Sequence, residues 1–120
     1  MKNILIVDDN ENDRILCEKE FSDEGYITHT VSSGLEALEF LNNNPHLDLI
    51  ILDIRMPLLD GIEVLKRIRS ENYDIRIILY SDYSNYKDNL VAWLANGYVI
   101  KSSNMKELKN KVRELLSFEG

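Results

Sequence analysis

Leu49-Ile50-Ile51-Leu52-Asp53-Ile54-Arg55-Met56-Pro57-Leu58-Leu59-Asp60-Gly61 opens on an unbroken apolar run and closes that run with a carboxylate. Consecutive aliphatic residues without polar alternation are the pattern of a strand covered on both faces, as in a parallel sheet between helices. Three further runs share it: Ile4-Leu5-Ile6-Val7, Ile77-Ile78-Leu79-Tyr80 and Tyr98-Val99-Ile100. The stretch from Tyr26 to Val31 differs. There Ile27 and Val31 alternate with polar Thr28 and Thr30, as in an edge strand.

Amphipathic segments fill the intervals. Met105, Leu108, Val112 and Leu115 recur at spacings of three and four, which predicts a final helix with one apolar stripe. Asn104 and Glu107 have the spacing of a capping box at its start, and Ser33 and Glu36 have the same spacing ahead of Leu35, Leu38 and Leu41. A first helix is expected over about Glu11 to Glu24, stopped near Gly25, and a third over about Ile62 to Glu71 with Leu65 and Ile68 inward. A fourth, about Tyr86 to Ala95, carries Leu90, Trp93 and Leu94, with Trp93 half-buried in the core. Five β-α units in succession imply an α/β fold: a doubly wound parallel sheet of flavodoxin-like order 2-1-3-4-5, joined by right-handed crossovers. A closed eight-unit barrel needs about twice this length.

The 120 residues fit one domain, residues 1–120, and 44% hydrophobic with 29% charged residues is ordinary for a globular protein. No run approaches the roughly 18 apolar residues of a membrane helix, so no membrane role is expected. Met1 to Asp8 holds one basic residue before its first acid and does not read as a signal peptide. The 21 acidic against 14 basic residues, a net charge of −7, argue against direct nucleic-acid binding, which relies on clustered Lys and Arg. Cys17 has no partner for an internal disulfide and fits a reducing, cytoplasmic setting as a packed core-side thiol. His29 and His46 have no metal-spaced partners.

What ends each strand carries the chemistry. Strand 1 runs into Asp8-Asp9, strand 3 into Asp53, strand 4 into Ser81 and strand 5 into Lys101. In an open α/β sheet the binding crevice lies beyond the carboxyl ends of the strands, at the switch point between strands 1 and 3. Asp8, Asp9 and Asp53 should converge there. Three clustered carboxylates repel one another and call for a cation, and an all-oxygen donor set fits Mg²⁺. Ser81 and Lys101 add a hydroxyl and a fixed positive charge, so that metal, hydroxyl and ammonium together would neutralise a phosphoryl group at the central carboxylate. Taken singly, each residue also reads as helix capping, turn chemistry or a solvated charge. The four strand ends read together favour the site.

On Ile4-Leu5-Ile6-Val7-Asp8-Asp9, on Leu52 to Gly61, on Ser81 and on Lys101, the whole chain resembles the CheY-like receiver domains of two-component response regulators. The resemblance implies that Asp53 accepts phosphate from a phosphohistidine on a histidine kinase or histidine phosphotransfer protein. It implies that Asp9 and Asp53 hold Mg²⁺ with the Arg55 backbone carbonyl, Asp8 acting through water. Ser81 and the Asp82 backbone N–H would bind the phosphoryl group, Lys101 would pair with one of its oxygens, and Tyr98 would follow Ser81 inward. Arg55 and Tyr83 occupy positions that tune loss of the phosphate. Such a domain is no enzyme beyond its own phosphorylation and dephosphorylation, and a homodimer is a partner the resemblance leaves open.

Three positions depart from the family pattern. Asp82 stands where Ala or Gly is usual, and Lys101 is followed by Ser102 in place of proline, which predicts a rebuilt or strained loop. The stretch from Ser81 to Lys101 is about two residues short, which predicts trimming at helix 4 or the loop before strand 5. Two rival functions follow from the residues. A degenerate receiver acting as a phosphorylation-independent interaction module is favoured by Asp82 and Ser102. A Mg²⁺-dependent phosphohydrolase needs a general acid two residues after Asp53, where Arg55 stands, and a substrate cap.

Overall fold

The structure, a computed structural model, describes residues 1–71, 73–83 and 89–117. Five strands, β1 (Asn3–Val7), β2 (Ile27–Val31), β3 (Leu49–Leu52), β4 (Arg76–Ser81) and β5 (Gly97–Ile100), form one parallel sheet of order β2-β1-β3-β4-β5. Among the described residues four α-helices, α1 (Glu11–Asp23), α2 (Gly34–Asn43), α3 (Gly61–Ser70) and α4 (Lys106–Leu116), cover its two faces. Ile6 is paired with Thr30 on one side and Ile51 on the other, which sets β1 between β2 and β3 and leaves β2 as an edge strand.

The unbroken apolar runs are explained by the layers. Leu5, Val7, Ile50, Leu52, Ile77 and Leu79 point to one face and meet Ala37, Leu41, Val64, Leu65 and Ile68 of α2 and α3. The residues between them, Ile4, Ile6, Leu49, Ile51, Ile78 and Tyr80, point to the other and meet Cys17, Phe21, Leu108, Val112 and Leu116 of α1 and α4. With strand side chains alternating between faces, a strand buried on both has no position left for a polar residue.

Several local expectations are corrected. Between β4 and β5 the described residues hold no α-helix but a short 3₁₀ helix, Leu90–Leu94; the first part of the expected helix, from Tyr86, falls outside the described residues. Its buried residue is Ala92, whereas Trp93 is 77% exposed and Leu90 85% exposed, so Trp93 is not a core residue. The segment is held by Arg69 of α3, whose guanidinium donates to the Leu94, Tyr73 and Ile75 carbonyls and to Asn96 Oδ1. At α4 the capping box does not form. Asn104 Oδ1 accepts the Lys106 N–H, and Leu116 takes the buried position expected for Leu115, which is only partly buried. Leu35 is exposed, since the inner face of α2 is built from Gly34, Ala37 and Leu41. At the start of α2, Ser33 Oγ does accept the Glu36 N–H while the Glu36 carboxylate accepts from Ser32 and Ser33.

Candidate functional site

Strands β1 and β3 lie side by side, and just beyond their carboxyl ends Asp8, Asp9 and Asp53 bring carboxylate oxygens within 4.8 Å of one another. The backbone fixes each of them. The Asp53 N–H donates to the Val7 carbonyl and the Asp8 N–H to Val31, so both aspartates extend the sheet ladder by one step. Asp8 and Asp53 are buried while Asp9 is exposed. Asp8 Oδ1 accepts the Asn10 N–H and its Oδ2 takes Lys101 Nζ at 2.8 Å. Arg14 donates to the Asp8 carbonyl oxygen, tying α1 to the end of β1.

Gly61 makes the approach of α3 possible. A Cβ at this position would lie 2.1 Å from the Asp53 carbonyl oxygen and 2.8 Å from Ile54 Cα, and the Gly61 N–H donates to the Ile54 carbonyl. Any side chain here would push the helix off the backbone of Asp53. Asp60 then caps α3 by accepting the Glu63 N–H. The Asp60-Gly61 pair thus closes the loop that begins at Asp53.

Electrostatics sets the charge state. Burial, then the charge of Asp8, pushes the Asp53 carboxyl up to about 7; Lys101 opposes the rise, and a hydrogen bond with Asp8 and the charge of Asp9 add to it. Burial alone would lower the Lys101 pKa, yet hydrogen bonds to Asp8 and Asp13 and the charge of Asp53 raise it above its ordinary value. Lys101 is therefore a permanent cation, 3.6 Å from Asp53 Oδ2. Three carboxylates held together at an energetic cost, with no nitrogen or sulfur donor among them, suit a hard divalent cation such as Mg²⁺. The residues present fit that ion.

The remaining candidates surround this centre. Ser81 is the last residue of β4 and fully buried, its Oγ accepting the Tyr83 N–H at 3.1 Å. Asp82 and Arg55 are exposed. The Arg55 guanidinium lies over the Tyr83 ring, 4.6 Å from its centroid, so the two positions expected to flank the acceptor touch each other. Tyr98 is half-buried and its hydroxyl donates to the Tyr83 carbonyl. The Lys101–Ser102 segment has no cis peptide bond, and Ser102 Oγ donates to the Asn104 carbonyl. One residue escaped the sequence reading. Asp13, in the first turn of α1, binds Lys101 Nζ at 2.9 Å. Its signal was its place three residues after the cap Asn10, on the helix that follows Asp8-Asp9 directly. Cys17 is buried and its thiol is pushed up to about 12, chiefly by burial, which makes it inert.

The comparisons agree with this geometry. The family model described as "Response regulator receiver domain" matches residues 4–113. Response regulator SaeR of Staphylococcus aureus is 33% identical over 119 residues, which is 98% of this chain but 51% of that protein; the chain spans about half the length of the curated relatives it matches. Response regulator TrrA of Thermotoga maritima, solved with Mg²⁺-BeF, is 48% identical with a TM-score of 0.91 over 97% of this chain and 100% of that one. TrrA solved in complex with the histidine kinase ThkA aligns at 46% identity and a TM-score of 0.90, over 97% of this chain and 99% of that one. Chemotaxis protein CheY4 of Vibrio cholerae is 27% identical with a TM-score of 0.88, over 97% of this chain and 99% of that one. With its family model spanning nearly every described element and its acidic centre at the β1–β3 switch point, this chain belongs to the response regulator receiver domain family.

Proposed function

We propose that the chain is a phosphoacceptor: Asp53 takes a phosphoryl group from a phosphohistidine on a histidine kinase or histidine phosphotransfer protein. The P–N bond to the imidazole breaks as a P–O bond to an Asp53 carboxylate oxygen forms. The observation that carries this reading is the convergence of Asp8, Asp9 and Asp53 within 4.8 Å, with Lys101 Nζ 3.6 Å from Asp53. Mg²⁺ would be held by Asp9, Asp53 and the Arg55 carbonyl, with Asp8 through water, and when bound it supplies charge neutralisation for the phosphoryl oxygens. Lys101 supplies a second positive charge from the β5 side. Ser81 supplies a hydroxyl from β4, and the Asp82 N–H a further donor. TrrA, similar in sequence and fold, is described with Mg²⁺-BeF and with a histidine kinase, which supports both the ion and the partner class.

The domain turns over nothing but its own phosphate, acts in the cytoplasm, and binds no nucleic acid through this acidic surface. Among the described residues no helix is long and apolar enough to cross a membrane. The test is labelling by a small phosphodonor with and without Mg²⁺, read by intact mass. Mg²⁺-dependent labelling lost in Asp53→Asn is the expected result. A folded wild-type protein that takes no label under any condition would leave the phosphorylation-independent interaction module as the function.

A further inference from the structure

An ammonium has three N–H donors, and on Lys101 two of them are taken by carboxylates other than Asp53. Asp8 Oδ2 lies at 2.8 Å and Asp13 Oδ2 at 2.9 Å, while Asp53 Oδ2, at 3.6 Å, is beyond hydrogen-bond reach. Asp13 does not belong to the acidic cluster. It is placed by the first turn of α1, where its N–H is capped by Asn10 Oδ1 at 3.0 Å. We propose that Asp13 is a positioning residue that holds the Lys101 ammonium on the α1 side of the site, so that a group arriving on Asp53 must draw Lys101 away from it. The proposal rests on the phosphoacceptor reading of Asp53.

Exposure decides which of the two carboxylates gives way. The Asp8 side chain is 4% exposed, and losing Lys101 would strand a buried charge. The Asp13 side chain is 40% exposed, so water replaces the ammonium when Lys101 leaves. A cleft of about 310 Å³ lined by Asp13, Asp82, Lys101 and Ser102 brings that water to the contact. The Asp8 bond therefore persists as a pivot, and the Asp13 bond is the one exchanged for a phosphoryl oxygen. Charge-assisted hydrogen bonds are roughly twice as strong as neutral ones, so the exchange weighs on the affinity of the site for a tetrahedral anion.

The test is calorimetric titration of beryllofluoride in excess Mg²⁺, at low and high NaCl, on wild type, Asp13→Asn and Glu11→Gln. Glu11 stands in the same first turn, and among the described residues the ion pairs of Lys101 are with Asp8, Asp13 and Asp53, so neutralising Glu11 changes only the general field. Asp13→Asn should bind beryllofluoride about 5–10-fold more tightly, with the gain kept at high salt and absent in Glu11→Gln. A larger unfolded fraction lowers apparent affinity, so a merely structural role of Asp13 predicts the opposite sign. Equal gains in both variants, or a gain that salt abolishes, would overturn the positioning role. A wild-type protein that neither binds beryllofluoride with Mg²⁺ nor takes phosphate would overturn the phosphoacceptor reading itself; labelling with no Asp13 effect overturns the present proposal alone.

Discussion

Replacing Asp53 by Asn should stabilise the metal-free protein, and the gain should depend on pH. Burial and the charge of Asp8 push the Asp53 carboxyl up to about 7 from its ordinary 3.8. The folded state thus keeps a proton between about pH 4 and pH 7 that the unfolded chain has already lost. Since stability falls with pH wherever the folded state binds more protons, Asp53 lowers stability progressively across that window and exerts its full cost above it. One pKa unit corresponds to about 1.4 kcal/mol, so a rise from 3.8 to about 7 puts the cost at pH 8 on the order of 4 kcal/mol. Asn has the shape and neutrality of the protonated carboxyl and lacks this slope. Urea unfolding in EDTA should show Asp53→Asn more stable than wild type at pH 8, with the difference shrinking toward pH 4. Adding Mg²⁺ should narrow the difference at pH 8, because bound cation stabilises the native wild type by mass action. A difference of the same size at both pH values, or none at pH 8, would refute the reasoning, because the carboxylate would then not be held in its charged form at a cost.

Asp9→Asn should weaken Mg²⁺ binding by at least about tenfold in calorimetry, since an exposed anionic ligand is lost without disturbing the buried pair. Gly61→Ala should cost more than about 2 kcal/mol in urea unfolding, because its Cβ would stand 2.1 Å from the Asp53 carbonyl oxygen and the backbone on both sides is fixed by hydrogen bonds. Arg55→Asn with Tyr83→Ala should speed loss of the Asp53 phosphate by at least about tenfold, roughly 1.4 kcal/mol of barrier. On the proposed function the guanidinium stacked on the ring would stand in the line of attack of water, and decay of purified phosphoprotein in excess Mg²⁺ measures it.

The sheet and the centre of the site were legible because their signals are local. Val7-Asp8 and Leu52-Asp53 each show a buried strand ending on a carboxylate, and neighbouring parallel strands bring such ends together. The 3₁₀ helix was not legible. Leu90, Trp93 and Leu94 have helical spacing, yet they face outward while small Ala92 faces α3, and the segment is fastened by Arg69, some 25 residues away in sequence. Periodicity reports a repeat; it does not report which side of the repeat meets a neighbour. Asp13 was hidden for a related reason. An acidic residue in a first helical turn has a sufficient local explanation in the helix dipole, and its bond to Lys101 spans 88 positions.

On the proposed function, the contacts around Ser81 indicate how a change at Asp53 travels. Ser81 Oγ accepts the Tyr83 N–H, the Tyr83 ring carries Arg55, and the Tyr83 carbonyl accepts the Tyr98 hydroxyl from the outer strand β5. Turning the Ser81 hydroxyl toward a phosphoryl oxygen takes Oγ away from the Tyr83 N–H. The same new charge offers Arg55 a partner stronger than an aromatic face, since a charge-assisted hydrogen bond exceeds an exposed cation–π contact. Both shifts bear on Tyr83, whose carbonyl accepts one hydrogen bond from the Tyr98 hydroxyl. Because Ser81 and Lys101 are joined directly through the β4–β5 ladder, with the Lys101 N–H donating to the Ser81 carbonyl, the strand ends themselves stay fixed. On that reading the response runs through the side chains of Ser81, Tyr83, Arg55 and Tyr98, which these contacts join in one chain from β4 to β5.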